Sequence, residues 1–270
     1  MMNKLIAMLL HKSLKKISAF LFSMMIFITP QVIYAKSNFL IWPIYPVIES
    51  QENATPVWLE NVGDEASMIQ VRVFKWSQNN NQDQYENQQE IIASPPIVKV
   101  AAGDKQMIRL TKATNVEDGK EYSYRVIIDE LPINLEQDKD VTSVSFKMRY
   151  SLPLFVYGKG LGSGNSVDTK KTNSKNPNAR PILTWSIVNT NNRDYLVVNN
   201  SGLLSVRISG FKVDGKDYKS VSGSNAFGYV LSGGKFVFDI NQEFKSLLLS
   251  NKPIYAVIGQ DKDPIPLIRK

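Results

Sequence analysis

Residues Ser143–Tyr157 read SVSFKMRYSLPLFVY. Val144, Phe146, Met148, Tyr150, Leu152 and Leu154 alternate with Ser145, Lys147, Arg149 and Ser151. Successive strand side chains point to opposite faces, so this period of two predicts a β-strand with one apolar and one cationic face. Strands in globular domains typically run about 5–6 residues. One sheet partner seldom needs a longer strand. A strand that also lends side chains to another molecule does.

Similar runs lie upstream, separated by turn residues. They are Phe39–Ile48, Val57–Glu60, Met68–Trp76, Ile91–Val100, Gln106–Leu110 and Tyr122–Ile128. In Met68–Trp76, Ile69, Val71 and Val73 alternate with Met68, Gln70, Arg72 and Phe74. Asn61–Asp64 and Ala102–Asp104 carry turn chemistry, and the Asn/Gln-rich stretch Asn79–Gln89 reads as an exposed loop. About seven strands in about 120 residues, with no amphipathic helix between them, predict an immunoglobulin-like sandwich.

Gly158–Arg180 is rich in Gly, Ser, Asn and Lys and reads as a flexible connection or exposed loop. Strand patterning resumes at Ile182–Val188, Tyr195–Asn199, Val206–Val213, Phe227–Leu231, Lys235–Ile240 and Ile254–Ile258, with a short helical turn expected at Glu243–Leu249. The expectation is an all-β chain of two sandwich domains, residues 36–157 and 181–270, joined through 158–180.

Residues 1–35 are set apart. Lys4, Lys12, Lys15 and Lys16 precede the uncharged apolar run Ile17–Ile28, and Ala35 ends a small-residue cleavage pattern. The run is short for a bilayer span and suits a secretory signal peptide, so no stable membrane insertion is expected after cleavage. Cleavage lowers the basic count from 32 to 28 against 25 acidic residues, taking the formal charge from +7 to +3. Nucleic-acid binding wants clustered cations, so no nucleic-acid partner is expected. The chain has no cysteine, and its one histidine, His11, leaves with the signal. That excludes His- or Cys-dependent nucleophiles and zinc or haem sites. No cofactor or metal is expected.

Several blocks together resemble the periplasmic pilus chaperones of the chaperone–usher pathway, the PapD-like family. Ile92–Val98 (IASPPIV) with Gly103–Leu110 (GDKQMIRL) looks like that family's Ser-Pro-Pro strand pair. Tyr122–Pro132 (YSYRVIIDELP) is similar to its aromatic strand ending in Glu-aliphatic-Pro, and Gly228–Gly234 (GYVLSGG) to a turn of its second domain. Gln70–Gln82 (QVRVFKWSQNNNQ) looks most like the archaic, Csu-type branch. The resemblance implies two immunoglobulin-like domains in a boomerang arrangement, in the periplasm, without catalysis. It implies pilin subunits as clients and an outer-membrane usher as recipient. Chaperone–pilin complementation is a known form of β-strand addition, in which a donated strand completes the subunit. By position the donor side chains are Val144, Phe146 and Met148, with Tyr150 and Leu152 as extensions.

The sequence departs from the family at its usual carboxylate anchor. The Lys position falls at Pro153 and the Arg position near Tyr45-Pro46. Arg149 shares the strand parity of Pro153 and, with Arg125 on the preceding strand, is a candidate to hold the pilin C-terminus. Both arginines have a plainer reading as partners of Asp129 or Glu130. Glu130 matches a family Glu that helps orient the domains, but its usual basic partner falls at Tyr157. Two other readings stand beside the chaperone: a structural or adhesive subunit of a surface fibre, and a secreted carbohydrate-active enzyme, for which no carboxylate pair is recognisable.

Overall fold

The first lobe has ten described strands, most of them alternating β-branched and aromatic residues with polar ones. They are β1 (Phe39–Trp42), β2 (Val47–Ile48), β3 (Ala54–Asn61), β4 (Ser67–Asn79), β5 (Gln82–Asn87), β6 (Ile91–Ser94), β7 (Ile97–Val100), β8 (Lys105–Lys112), β9 (Glu121–Leu131) and β10 (Arg149–Tyr157). The structure is a computed structural model that describes residues 39–79, 82–131, 147–163, 179–218, 227–258 and 264–270. The expected signal segment, donor positions Val144 and Phe146, and residues 164–178 lie outside the described residues.

Two sheets enclose the first core, in the orders β1-β3-β8-β6 and β2-β10-β9-β4-β5, with β7 also on β4. Val57, Leu59, Ile108 and Leu110 from one sheet meet Ile69, Val71, Val126, Ile128, Leu154 and Val156 from the other. Asn61 is fully buried at the end of β3. Its amide donates to the Glu65 and Val100 carbonyls and its oxygen accepts from the Gly63 N–H, so the turn after β3 is tied to β7.

Prolines divide two of the expected strands, because proline lacks the N–H a ladder needs. Phe39–Ile48 is split around Pro43 and Pro46 into β1 and β2, which join different sheets. Ile91–Val100 is split at Pro95-Pro96, with β6 on β8 and β7 on β4. Asn79–Gln89 corrects the loop expectation: β5 continues the sheet as an antiparallel partner of β4, from Phe74↔Asn87 to Asn79↔Gln82. Its side chains are almost all exposed, so it carries no apolar period to read. The first residues of the expected connection from Gly158 are held in place. Leu161 is buried and Ser163 hydrogen-bonds Glu49, which holds this stretch to the first lobe.

The second lobe contains β11 (Leu183–Thr190), β12 (Arg193–Asn200), β13 (Val206–Ile208), β14 (Gly210–Val213), β15 (Lys216–Tyr218), β16 (Gly228–Val230), β17 (Lys235–Asp239), β18 (Ile254–Val257) and β19 (Ile265–Arg269). Seven strands run β15-β14-β18-β19-β11-β12-β17, and β13 pairs β16 separately. The expected helical turn is α1 (Gln242–Leu248), whose first turn is capped by Asn241 Oδ1 accepting from the Phe244 N–H. Phe244 and Leu248 bury this helix against Phe211 and Phe238 in a second, separate core.

Leu154 is fully buried, whereas Met148, six residues earlier on the same parity, is 40% exposed. Leu154→Ala is expected to cost about 2–5 kcal/mol in urea unfolding. Met148→Ala is expected to stay within about 0.5 kcal/mol of the parent.

Candidate functional site

The two long sides of β10 are treated unequally. β9 pairs with it throughout, from Arg149↔Asp129 to Tyr157↔Glu121. On the other side β2 runs parallel to it and meets only Phe155 and Val156. Among the described strands, none covers the edge from Arg149 to Leu154. Pairing with β9 continues past the strand's start, since the Glu130 N–H donates to the Met148 carbonyl.

The apolar face of β10 changes character along its length. Leu152, Leu154 and Val156 lie in the first lobe's own core, and Tyr150 packs against that core with its hydroxyl donating to the Phe39 carbonyl. Tyr150 and Leu152, expected as extensions of the donor set, are therefore engaged by the first lobe itself. The exposed apolar side chain begins at Met148.

The opposite face carries Arg149, Asp129, Arg72 and Arg125. Asp129 accepts from Arg149 Nε and, at 2.7 Å, from Arg72. Burial opposes ionisation of Asp129, but these two guanidinium groups hold its carboxyl below the usual range. Arg149 thus takes the plainer of its two sequence readings. Glu130 is buried and accepts from Ser67 Oγ at 2.8 Å, with Lys147 at 3.7 Å. All of these partners belong to the first lobe, at the end of β9 remote from Glu121.

Glu121, at the other end of β9, reaches the second lobe and accepts from the Ser205 N–H. Sequence reasoning passed over it. Its signal was a charged residue opening the aromatic strand Tyr122–Ile128, which is a common way for any strand to begin. Gln78 makes the second polar bridge: its amide donates to the Tyr229 carbonyl and its oxygen accepts from the Leu231 N–H. Gly233 takes φ +68, and a Cβ at Gly234 would lie 2.6 Å from Gln78 Oε1, so this turn of the GYVLSGG block is shaped for the bridge.

Between these bridges Trp76, Phe155, Tyr229 and Leu231 form a third, small apolar cluster. Arg125 stands opposite Pro153 in the β9–β10 register, with its Cζ 3.8 Å from the Trp76 ring centre and 5.3 Å from that of Tyr229. On the other side Arg207 of β13 lies over Phe227 at 4.4 Å and over Tyr45 at 5.5 Å. Sequence reasoning also missed Arg207, whose only signal was a lone cation between Val206 and Ile208. Among the described residues no cluster of metal-ligating side chains occurs.

Two β lobes, an edge of β10 that no described strand covers and a seam of cations and aromatic rings together define a two-domain protein of the immunoglobulin-like class. Residues 46–162 match the family described as "Pili and flagellar-assembly chaperone, PapD N-terminal domain". The chain is 45% identical to a chain of the CsuC–CsuE chaperone–tip adhesion subunit pre-assembly complex from archaic chaperone–usher Csu pili of Acinetobacter baumannii. That match has a TM-score of 0.73 and covers 87% of this chain and 100% of that one. Two more distant structures share the fold. The E. coli chaperone DraB matches at 12% identity and TM-score 0.54, over 85% of this chain and 98% of its own. The Salmonella enterica SafA pilin–SafB chaperone complex matches at 13% and 0.54, over 85% and 95%. No curated protein matches. The chain belongs to the PapD-like periplasmic chaperones of chaperone–usher pili, a family of chaperones rather than enzymes.

Burial at the seam pushes the Glu121 carboxyl up to about 7, with hydrogen bonds from Ser205 and Tyr157 opposing it only in part. A carboxyl with a raised folded pKa binds its proton more tightly in the folded state. Its stabilising contribution is full below the unfolded pKa and is lost as pH rises through about 7. The urea midpoint should therefore fall with pH across this window more steeply for the parent than for Glu121→Gln. Parallel slopes in the two proteins would refute this role for Glu121.

Proposed function

We propose that this chain holds pilus subunits in the periplasm by strand donation from the β10 segment and passes them to an outer-membrane usher. The observation that carries the reading is the edge from Arg149 to Leu154, which none of the described strands covers, next to the exposed Met148. A subunit lacking a strand exposes backbone N–H and C=O groups and an open core, which invite aggregation. A donated edge pairs those groups, and alternating side chains fill the groove. The donor set is Met148 with Val144 and Phe146. Tyr150 and Leu152, engaged in the first lobe's core, leave the donation to the residues before them. Each large side chain buried in the subunit contributes roughly 1.5–3 kcal/mol before the cost of association. Of the two candidate holders of the subunit's terminal carboxylate on the cationic face, Arg149 is paired with Asp129, which leaves Arg125.

The test co-expresses the chaperone with a pilus subunit from the same gene cluster and measures captured subunit. Phe146→Asp and Met148→Asp are expected to abolish capture while each variant keeps the parent's melting temperature. Undiminished capture by both sinks strand donation, and unfolding of both assigns these side chains to the chaperone's own core.

A further inference from the structure

After Met25 the chain carries the methionines Met68, Met107 and Met148, no cysteine and no histidine. Thiols and thioethers are the side chains that peroxides oxidise most readily, so the targets here reduce to these methionines. Met68 is half-buried in β4, between Lys99 of β7 and Leu131 of β9. Met107 is half-buried in β8, across from Trp58. Met148 is 40% exposed. Oxidation follows exposure of the sulfur, and Met148 is the target that the fold leaves open.

The Met148 backbone is fixed while its side chain is open to water. Its N–H donates to Glu130 Oε2 at 3.4 Å, and its carbonyl accepts from the Glu130 N–H at 3.0 Å. Glu130 is itself buried and accepts from Ser67 Oγ. Met148 lies outside the buried apolar clusters of both lobes. The thioether is thus held at the start of the β10 edge that no described strand covers. Oxidation there leaves the first core intact, because Leu152, Leu154 and Val156 fill it. It changes what the edge offers to a guest. Methionine is a flexible apolar group that fills irregular pockets. Its sulfoxide is polar and chiral, and the new oxygen needs a donor that an apolar groove lacks.

We propose that Met148 is an oxidation site through which a hydroperoxide reversibly switches off subunit capture. The Met148 sulfur attacks one oxygen of the peroxide. The S–O bond forms and the O–O bond breaks. Sulfur gives up an electron pair and the peroxide is reduced. With hydrogen peroxide, the hydrogen on the transferred oxygen passes to the departing hydroxide, which leaves as water. Enzymes of the methionine sulfoxide reductase class reverse the change, which makes the site a switch rather than a lesion. A bound subunit covers the thioether, so the empty chaperone is the form that reacts. This assignment rests on the strand-donation reading above and adds a control to it.

The test treats the purified chaperone with hydrogen peroxide, removes the oxidant and adds a pilus subunit diluted from denaturant. Peptide mass mapping is expected to find added oxygen at Met148 before Met68 or Met107. Capture by the treated parent is expected to fall about tenfold, as an unpaired buried acceptor implies, and to return after a methionine sulfoxide reductase. Each protein is read as the ratio of its capture after peroxide to its capture before. For Met148→Leu, which has no sulfur at this position, that ratio is expected not to change. A preformed chaperone–subunit complex should take up oxygen at Met148 more slowly than the free chaperone. Oxygen arriving first at Met68 or Met107 overturns the site. So does undiminished capture by a parent that carries oxygen at Met148, or an equal fractional loss in the parent and Met148→Leu. Untreated Met148→Asp separates the two readings. If it captures as well as the parent, donation by Met148 fails. If it loses capture while the oxidised parent keeps it, donation stands and the oxidation switch alone falls.

Discussion

Among the described strands, β10 is bonded along its whole length on one side and for only two residues on the other. The first lobe depends on this inequality. β9 fixes the register, so Leu152, Leu154 and Val156 point into the core and Pro153 and Phe155 point away from it. β2 closes the far end of the edge and leaves the near end uncovered. An uncovered edge is an aggregation hazard that soluble proteins blunt with charge and proline. Here Lys147 and Arg149 stand at its open end and Pro153 within it. The edge is thus guarded against chance partners by features that still permit a partner of matching chemistry.

The seam between the lobes is small and mixed. Its apolar part is the cluster around Trp76 and Tyr229, with ring centres 5.3 Å apart in an edge-to-face arrangement. Its polar part is two bridges, one from Gln78 and one from Glu121. A cation over an aromatic face contributes about 0.5–2 kcal/mol, more as water is excluded, and Arg125 lies close over Trp76. No single term dominates this set, so the relation between the lobes depends on several weak contacts that respond to charge. The raised Glu121 carboxyl is a consequence of that placement: burial raises it, and its partners are the Ser205 hydroxyl and N–H and the Tyr157 phenol, with no cation among them.

Much of the fold was legible because buried strands advertise themselves. Met68–Trp76 and Tyr122–Ile128 alternate since one face of each meets the core, and both sit inside β4 and β9. β5 was not legible for the converse reason: its residues face water on both sides, and backbone pairing alone makes it a strand. The site divided in the same way. The parity argument placed Arg149 and Pro153 on one face; the register agrees, and it sets Arg125 across from Pro153. Parity does not say which neighbour neutralises which cation. Asp129 lies directly across from Arg149, while Arg125 has Pro153 on one side and Phe74 on the other. Tyr45 and Arg207 are 162 positions apart in sequence, and only the folded seam brings them together.

The charge pattern along β10 also gives the open edge a direction. Arg72 and Arg149 share Asp129, so the cationic face is partly neutralised near the strand's start. The cations without a described carboxylate partner, Arg125 and Arg207, stand at its end, beside the aromatic seam. The exposed apolar side chain, Met148, stands at the beginning. A strand laid along this edge with its terminal carboxylate at the seam runs from the Met148 end towards Phe155, parallel to β10. β2 already runs parallel to β10 at that point. Guest strand and β2 would follow one another along one edge in the same sense, the guest ending where β2 begins. The reverse orientation would bring an ammonium group to two guanidinium groups, which like-charge repulsion in a water-poor seam disfavours.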